Sequence, residues 1–467
     1  MSVETAETTV LEPVGAPPVY DPRAGSVRIA ALRDCWRALW LSRLVVLLAG
    51  VGAVETFGVG RARSAFVPPG VTSGFGWLGD LLAAPVARWD AAWYLVIAHY
   101  GYRPDLGAVT ASRAAFFPLY PLGVRAISEV GAPPVVAGVA LSLAAFATAL
   151  YGVHRLTSLE AGRLGGSGDA ARLAVLVVAF APMAFYFSAV YSESLYLALS
   201  VGLFWCARNG RWGWAGALGA LASATRSAGV VLAVPMVLLY LYGPREDRPP
   251  DHTASRGARA RRAAGESGAG RRAWWRPRYA LRPDILWVLA LPVGIAAYLA
   301  YLTLAGGEGL MPFHAQQVWH REFVGPFVGV WDGAVAAFQG ARQLLSFQRT
   351  HVYFAVAGGS PFVDAGHNLM LFAFLAAAVP MCVGALRRLP FAYGAYVLAA
   401  LALPLSYPVA PEPLMSLPRF EVVLFPLAMW AGAWLAERPR ARLPALAASA
   451  AAMALFTAEF ATWHWVA

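Results

Sequence analysis

Long apolar runs separated by short polar segments make up most of the chain. A helix that crosses a membrane needs about 20 mostly apolar residues. By that criterion the pattern predicts membrane helices near 38–59, 134–154, 172–190, 192–207, 212–243, 284–304, 368–386, 391–408, 418–436 and 443–463. The 212–243 run fits one tilted span or two short ones that meet at residues 224–227, and the shorter candidate 116–130 then crosses or dips. Either arrangement predicts about 11 crossings.

The composition agrees with this pattern. Hydrophobic residues make up 59% of the 467 positions and charged residues only 13%, with a mean hydropathy of +0.55, whereas a soluble domain has about 25% charged residues. A soluble monomer is therefore excluded, and the predicted fold class is an all-α polytopic membrane protein.

The positive charge is concentrated in one segment. Residues 244–282 contain eleven arginines and four acidic residues, which accounts for most of the net charge of +11. Such a segment is typical of a cytoplasmic loop, so membrane lipid is the expected partner and no nucleic-acid partner is expected.

The basic residues also orient the chain. Arginines at 28, 33 and 37 predict a cytoplasmic N-terminus, and those at 387–388 and 438–442 predict that these two later segments are cytoplasmic as well. Residues 1–27 lack an apolar stretch and predict a disordered cytoplasmic tail. The expected organisation is a multi-pass cell-membrane protein with four parts. These are the tail 1–27, a membrane module 28–243 with an outside loop 60–115, the arginine-rich loop 244–282, and a membrane module 283–467 with an outside loop 305–367.

The first outside loop contains an acidic residue among aromatic ones, in the string RWDAAWYL at 88–95. Helical spacing puts Trp89 and Trp93 on one stripe and Asp90 beside Tyr94, which predicts an amphipathic helix lying along the membrane face. One interpretation makes Asp90 a helix cap or a solvated acid. The other makes it a carboxylate at the lipid–water boundary, where partial burial favours proton abstraction.

Several strings occur in an order that resembles the PIG-V-like mannosyltransferases. They are RWDAAWYL, then FFPLYPL at 116–122, YSESLY at 191–196, ATRSAG at 224–229, FHAQQVW at 313–319 and SLPRF at 416–420. The resemblance covers most of residues 35–243 and returns in the two later strings.

The resemblance implies a GT-C fold, which is a polytopic helical glycosyltransferase that uses a polyprenyl-phosphate sugar on the extracytoplasmic face. In that fold an acidic residue of the first outside loop is the base, and the matching position here is Asp90. The implied enzyme is a hexosyltransferase, a mannosyltransferase that uses polyprenyl-phosphate mannose. Its partners would be that donor and a lipid-linked, glycan or protein acceptor.

Two arginines in apolar sequence, Arg226 and Arg419, are the predicted donor phosphate clamp. A guanidinium group binds phosphate oxygens bidentately, and an ionisable residue within a membrane span marks a functional site by default. The alternative is a structural ion pair, for example with Glu193 or Glu421.

The motifs supply the predicted substrate-binding residues, which are Arg88, Trp89, Tyr94, Phe117, Tyr120, Glu193, His314, Gln316 and Trp319. Aromatic rings are suited to line a groove, and mixed aromatic and amide groups commonly bind glycan hydroxyls. Two alternatives stay open. Glu193 also suits the N-terminus of a helix, and the segment around Gln316 is also compatible with a solvated surface helix.

No metal cofactor is expected, because no two histidines have the spacing of a zinc motif and the sequence has no dense acidic cluster. A divalent ion at Asp90 or Asp80 is an open alternative. The alternative function is a transporter or flippase of a lipid-linked substrate. A transporter is expected to contain repeats and helices broken at the midplane, whereas here the polar aromatic motifs lie in long outside loops.

Overall fold

The computed structural model describes residues 25–59, 71–72, 76–109, 111–250, 277–355 and 359–466. The predicted tail 1–27 and the middle of the basic loop therefore lie almost entirely outside the described residues. Regular structure in the described part is helical. The α-helices in chain order are α1 Gly25–Phe57, α2 Gly76–Ala83, α3 Ala91–Tyr100, α4 Leu119–Ser128, α5 Pro134–Leu159, α6 Ala170–Ala179, α7 Glu193–Arg208, α8 Trp212–Thr225, α9 Ala233–Tyr242, α10 Val293–Leu304, α11 Met311–His314, α12 Pro326–Ser346, α13 Pro361–Arg388, α14 Phe391–Leu405, α15 Leu417–Glu421, α16 Phe425–Ala436 and α17 Pro439–Ala461.

Four helices of the described part are long and apolar enough to cross a membrane, namely Arg28–Phe57, Pro134–Leu159, Pro361–Arg388 and Pro439–Ala461. A fifth span results if Pro283–Ala290 and Val293–Leu304, which meet at a bend of 41°, are one crossing. These helices fit a membrane protein. The count of about 11 crossings stays a prediction, because the other apolar helices are shorter than a bilayer requires.

The predicted span 172–190 is wrong as a continuous helix, because α6 ends at Ala179. Pro182 follows shortly afterwards, and a proline disfavours helical conformation in the residue before it and has no N–H to donate. The buried Arg43 of α1 donates hydrogen bonds to the carbonyl oxygens of Ala179 at 3.1 Å and Ala184 at 2.8 Å. These bonds satisfy backbone acceptors that the interrupted helix leaves open.

The run 212–243 forms two helices. α8 ends at Thr225, and Arg226 has extended backbone angles, with φ at −155° and ψ at 147°. A 3₁₀ helix, Ser227–Leu232, then leads into α9. A side chain on Gly229 would collide with the backbone of Ala222, so this close return of the chain requires glycine. The break turns Arg226 out of the helix and towards a cavity.

Two further predictions differ from the structure. The run 418–436 is interrupted between α15 and α16, with Pro426 in the first turn of α16, where proline is well tolerated. The outside loop 305–367 contains the 21-residue helix α12, which packs against α13. The apolar residues Phe327, Trp331 and Phe338 of α12 are spaced four and seven apart, a helical signal that was present in the sequence.

The first outside loop contains the predicted helix, α3, but it is not a surface helix. Six of its ten residues are buried, and it packs against α4 and α5. The small residues Ala91, Ala92 and Ala98 allow this close approach. The prediction of an amphipathic helix along the membrane face is therefore wrong, and α3 instead forms part of the wall of an internal cavity.

Candidate active site

Backbone hydrogen bonds hold the chain around Asp90 in place. Trp89 has a left-handed conformation, with φ at 55°, which is uncommon for a non-glycine residue. The N–H of Asp90 donates to the hydroxyl of Tyr191 at 3.0 Å, and that hydroxyl donates to the carbonyl oxygen of Arg88 at 3.1 Å. These bonds hold the start of α3 beside the segment that leads into α7.

Asp90 belongs to a chain of four charged side chains. Nη1 of Arg419 donates to Oδ2 of Asp90 at 2.8 Å. Nε of Arg419 contacts Oε1 of Glu193 at 2.7 Å, and Nη1 of Arg226 donates to the same oxygen at 3.0 Å. The order is thus Asp90, Arg419, Glu193 and Arg226, with alternating sign.

The charges in this chain are largely removed from water. The side chain of Glu193 is 0% exposed, and those of Arg419, Arg226 and Asp90 are 10%, 11% and 19% exposed. Removing one member of a buried pair typically costs about 3–5 kcal/mol because the other charge is left uncompensated. The four groups therefore stabilise one another, and Asp90 is the most accessible of them.

A cavity of about 340 Å³ opens beside this chain of charges, which is within the usual range of ligand pockets, about 300–1,000 Å³. Its polar wall carries Asp90, Arg226, Arg321 and Arg419. The remaining wall is mostly apolar, with side chains from several helices and loops, among them Phe117, Phe313, Leu403, Pro404, Val423 and Leu424.

Three of the predicted site residues line the cavity besides the charged ones. Tyr94 lies on α3 and its hydroxyl is 2.9 Å from Oγ of Ser192. Phe117 lies between the first predicted outside loop and α4, and Gln316 lies in the second predicted outside loop. Glu193 is not part of the wall but lies behind it, in the first turn of α7. It therefore both occupies a helix N-terminus and forms ion pairs with Arg226 and Arg419.

Other predicted substrate-binding residues do not line the cavity. Arg88 is buried, donates to the carbonyl oxygen of Ala461 at 3.2 Å, and has its pKa lowered to about 10 by burial. Trp89 packs on Trp465 with ring centroids 5.2 Å apart. The hydroxyl of Tyr120 donates to the carbonyl oxygen of Gly138 at 2.9 Å. These three side chains contact protein and support the loop that carries Asp90.

The second predicted outside loop packs against the first. α11 and the 3₁₀ helix Ala315–Trp319 both contact the 3₁₀ helix Ala111–Ala115 of the first loop. Gln316 lines the cavity. His314 is half exposed and pairs with Glu308 at 3.0 Å, and the side chain of Trp319 lies outside the described residues.

Sequence reasoning did not place Arg321, Tyr407 or Trp465 in the site, yet all three line the cavity. Arg321 follows the string FHAQQVW by two positions, and that proximity was a usable signal. Tyr407 and Trp465 lie in short segments after α14 and α17, where no local pattern indicates that the chain turns inward. The pKa of Arg321 is lowered to about 10, mainly by burial and also by the positive charge of Arg419.

The structural alternative predicts that Arg226 and Arg419 form ion pairs with Glu193 or Glu421. Both pair with Glu193, whereas Glu421 forms no ion pair with either among the described residues.

In the part of the chain that the structure describes, no group of three or more histidine, cysteine, aspartate or glutamate side chains is arranged to hold a metal ion.

These features describe a helical protein whose apolar helices fit a membrane protein, with a charged cavity lined in part by residues 90–117 and 312–321. The family model "Mannosyltransferase (PIG-V)" matches residues 71–241, a range that includes Asp90, Tyr94, Glu193 and Arg226. The resemblance to PIG-V-like mannosyltransferases is thereby confirmed over the matched residues 71–241. No curated protein and no solved structure matches the chain.

Proposed function

We propose that this protein is a GT-C-type mannosyltransferase of the cell membrane, with about 11 crossings. It transfers mannose from polyprenyl-phosphate mannose to a hydroxyl group of a lipid-linked, glycan or protein acceptor, on the extracytoplasmic face. The observation that carries the proposal is the position of Asp90. It lies on a cavity wall, is held by Arg419, and belongs to the segment that matches a mannosyltransferase family.

In the proposed reaction the acceptor oxygen attacks C1 of mannose. The C1–O bond to the donor phosphate breaks, a new C1–O bond to the acceptor forms, and polyprenyl phosphate leaves with both electrons of the broken bond. Asp90 receives the proton of the acceptor hydroxyl. Only Oδ2 of Asp90 is hydrogen-bonded among the described residues, so Oδ1 is available to accept that proton.

The two-sided character of the cavity supports a lipid-linked donor. One wall carries the charged groups of Asp90, Arg226, Arg321 and Arg419, where a sugar phosphate would bind. The apolar wall, with Phe313, Leu403 and Val423, suits the first isoprene units because contact with lipid-like surface needs no hydrogen-bonding groups. A free nucleotide sugar would not require such a surface.

The proposed role of Arg226 and Arg419 as phosphate ligands stays a prediction. Each guanidinium has five N–H donors, so pairing with Glu193 and Asp90 leaves donors for an additional anion. Tyr94, Phe117 and Gln316 are proposed to contact the sugar or the acceptor. For Arg88, Trp89, Tyr120 and His314, contacts with protein favour a supporting role.

The test is transfer of tritiated mannose from polyprenyl-phosphate mannose in vesicles that contain the purified chain and a membrane lipid extract as the acceptor source. Label that leaves the donor for a new product, and only when the chain is present, supports the proposal. To test on which face of the membrane transfer occurs, a membrane-impermeant acceptor is added to right-side-out and to inverted vesicles, and the two rates are compared. Movement of intact labelled donor across the bilayer without transfer would instead favour a flippase, although the family match favours the transferase.

A further inference from the structure

The charges that face the cavity do not cancel. Three guanidinium groups, of Arg226, Arg321 and Arg419, are on its wall, and they are opposed by the carboxylates of Asp90 and Glu193. The described residues of this site therefore carry one net positive charge. A charge of this kind in a partly buried cavity is costly unless an anion binds there.

The uncompensated charge belongs to Arg321. Arg419 pairs with two carboxylates and Arg226 with one. The side chain of Arg321 forms no ion pair and no hydrogen bond with any residue that the structure describes, although it lies on the same wall. The cavity therefore has two arginines that already have anionic partners and one that does not.

The backbone holds Arg321 in place from both sides. His320 has a left-handed conformation, with φ at 53°, which ends the 3₁₀ helix Ala315–Trp319. The N–H of Arg321 donates to the carbonyl oxygen of Gln316 at 3.2 Å, and the N–H of Val324 donates to the carbonyl oxygen of Ser406 at 3.0 Å. The segment is thus fastened to its own loop and to the end of α14, so the unpaired guanidinium is positioned before a ligand arrives.

We propose that Arg321 is the principal ligand of the donor phosphate and that the site selects a singly charged phosphodiester, the group that links mannose to a polyprenyl chain. This inference rests on the proposed function and refines it. One net positive charge matches one phosphodiester charge. A nucleotide diphosphate sugar carries two negative charges and would leave one uncompensated, which disfavours its binding at a partly buried site.

The paired arginines then have a second role in addition to the proposed contact with the phosphate. Arg419 holds Asp90 towards the cavity, and Arg226 compensates the buried Glu193. When the C1–O bond breaks, the phosphate gains a second negative charge. Arg321 contacts the phosphate directly, so it stabilises the additional charge of the transition state more strongly than the single charge of the bound donor.

The experiment measures equilibrium binding of tritiated polyprenyl-phosphate mannose to the full-length chain in detergent, together with the KM and kcat of mannose transfer. Arg321→Gln removes the charge with little change of length, and Arg321→Lys restores the charge without the planar fork. The matched control is Arg349→Gln, an exposed arginine of the same outside loop that does not line the cavity. Unlabelled methyl undecaprenyl phosphate, a singly charged phosphodiester, and GDP-mannose serve as competitors.

We expect Arg321→Gln to weaken donor binding by about 10- to 100-fold, as for the loss of hydrogen bonds to a charged group. Arg321→Lys should recover part of the affinity, and Arg349→Gln should bind as wild type does. Methyl undecaprenyl phosphate should displace the donor, and GDP-mannose should not.

The outcomes separate this inference from the proposed function. If wild type transfers mannose and Arg321→Gln keeps its dissociation constant and KM within about twofold, the inference is wrong and the function stands. If wild type binds the lipid phosphate through Arg321 but transfers no mannose, the function is wrong and the inference stands. Displacement by GDP-mannose would refute the phosphodiester selectivity, and a wild type that binds no lipid phosphate would refute both.

Discussion

Replacing Asp90 with asparagine tests the proposed base with little disturbance of the fold. The substitution preserves shape and removes one negative charge. The bond to Tyr191 uses the backbone N–H of residue 90 and is unaffected. Arg419 keeps its contact with Glu193 at 2.7 Å, and the asparagine oxygen can still accept from Arg419. We therefore expect the variant to fold and insert normally.

The expected effects on stability and on rate differ in size. Exchanging a charge-assisted hydrogen bond for a neutral one costs about 1 kcal/mol, since the former contributes about 1.5–3 and the latter about 0.5–1.5 kcal/mol. Loss of a positioned base lowers the rate by about 10²- to 10⁴-fold. That range corresponds to about 2.7–5.4 kcal/mol of transition-state free energy. Activity should therefore fall far more than stability.

The assay compares initial rates of mannose transfer in vesicles that contain equal amounts of inserted protein, with donor binding measured in parallel. Asp105→Asn is the matched control, because Asp105 is an exposed acid of the same outside loop and does not line the cavity. Asp90→Asn should lose turnover and keep donor binding, and Asp105→Asn should keep both. Near wild-type turnover of Asp90→Asn would remove Asp90 from the mechanism.

Three further predictions follow from the charges and the loop. Arg419→Lys should retain partial activity, whereas Arg419→Ala should lose donor affinity and turnover together; equal dissociation constants and turnover for wild type and Arg419→Ala would leave Arg419 with a structural role only. Deleting residues 251–276 should preserve transfer and thermal stability, and a deletion variant that is correctly inserted but inactive would contradict that expectation. Arg245→Ala should lower thermal stability, because Arg245 is buried and its guanidinium lies 4.6 Å from the ring centroid of Trp212. Transfer should continue in the presence of EDTA, because the cavity carboxylate Asp90 is already paired with Arg419; a loss of transfer that added Mg²⁺ or Mn²⁺ reverses would contradict the expectation.

The sequence by itself determined the class of the protein and the segments from which the site is built. Burial of apolar side chains in lipid needs only length and composition, so the long helices α1, α5, α13 and α17 were predictable from local sequence. Asp90 was singled out by its place in an aromatic string, and its proposed role as the base came from the resemblance to the mannosyltransferase family. Arg226 and Arg419 were identifiable because a charge in apolar sequence is costly wherever the chain folds.

Only the tertiary structure decided how these groups meet. The pairing of Arg419 with Asp90 joins residues 329 positions apart, and no local period encodes such a contact. The interruptions near Pro182 and Pro426 have local causes, but whether the freed backbone finds a partner depends on distant groups such as Arg43. Arg321 has the same side chain as the two paired arginines. It differs from them because no carboxylate of the described residues forms an ion pair with it, and that is a property of packing rather than of sequence.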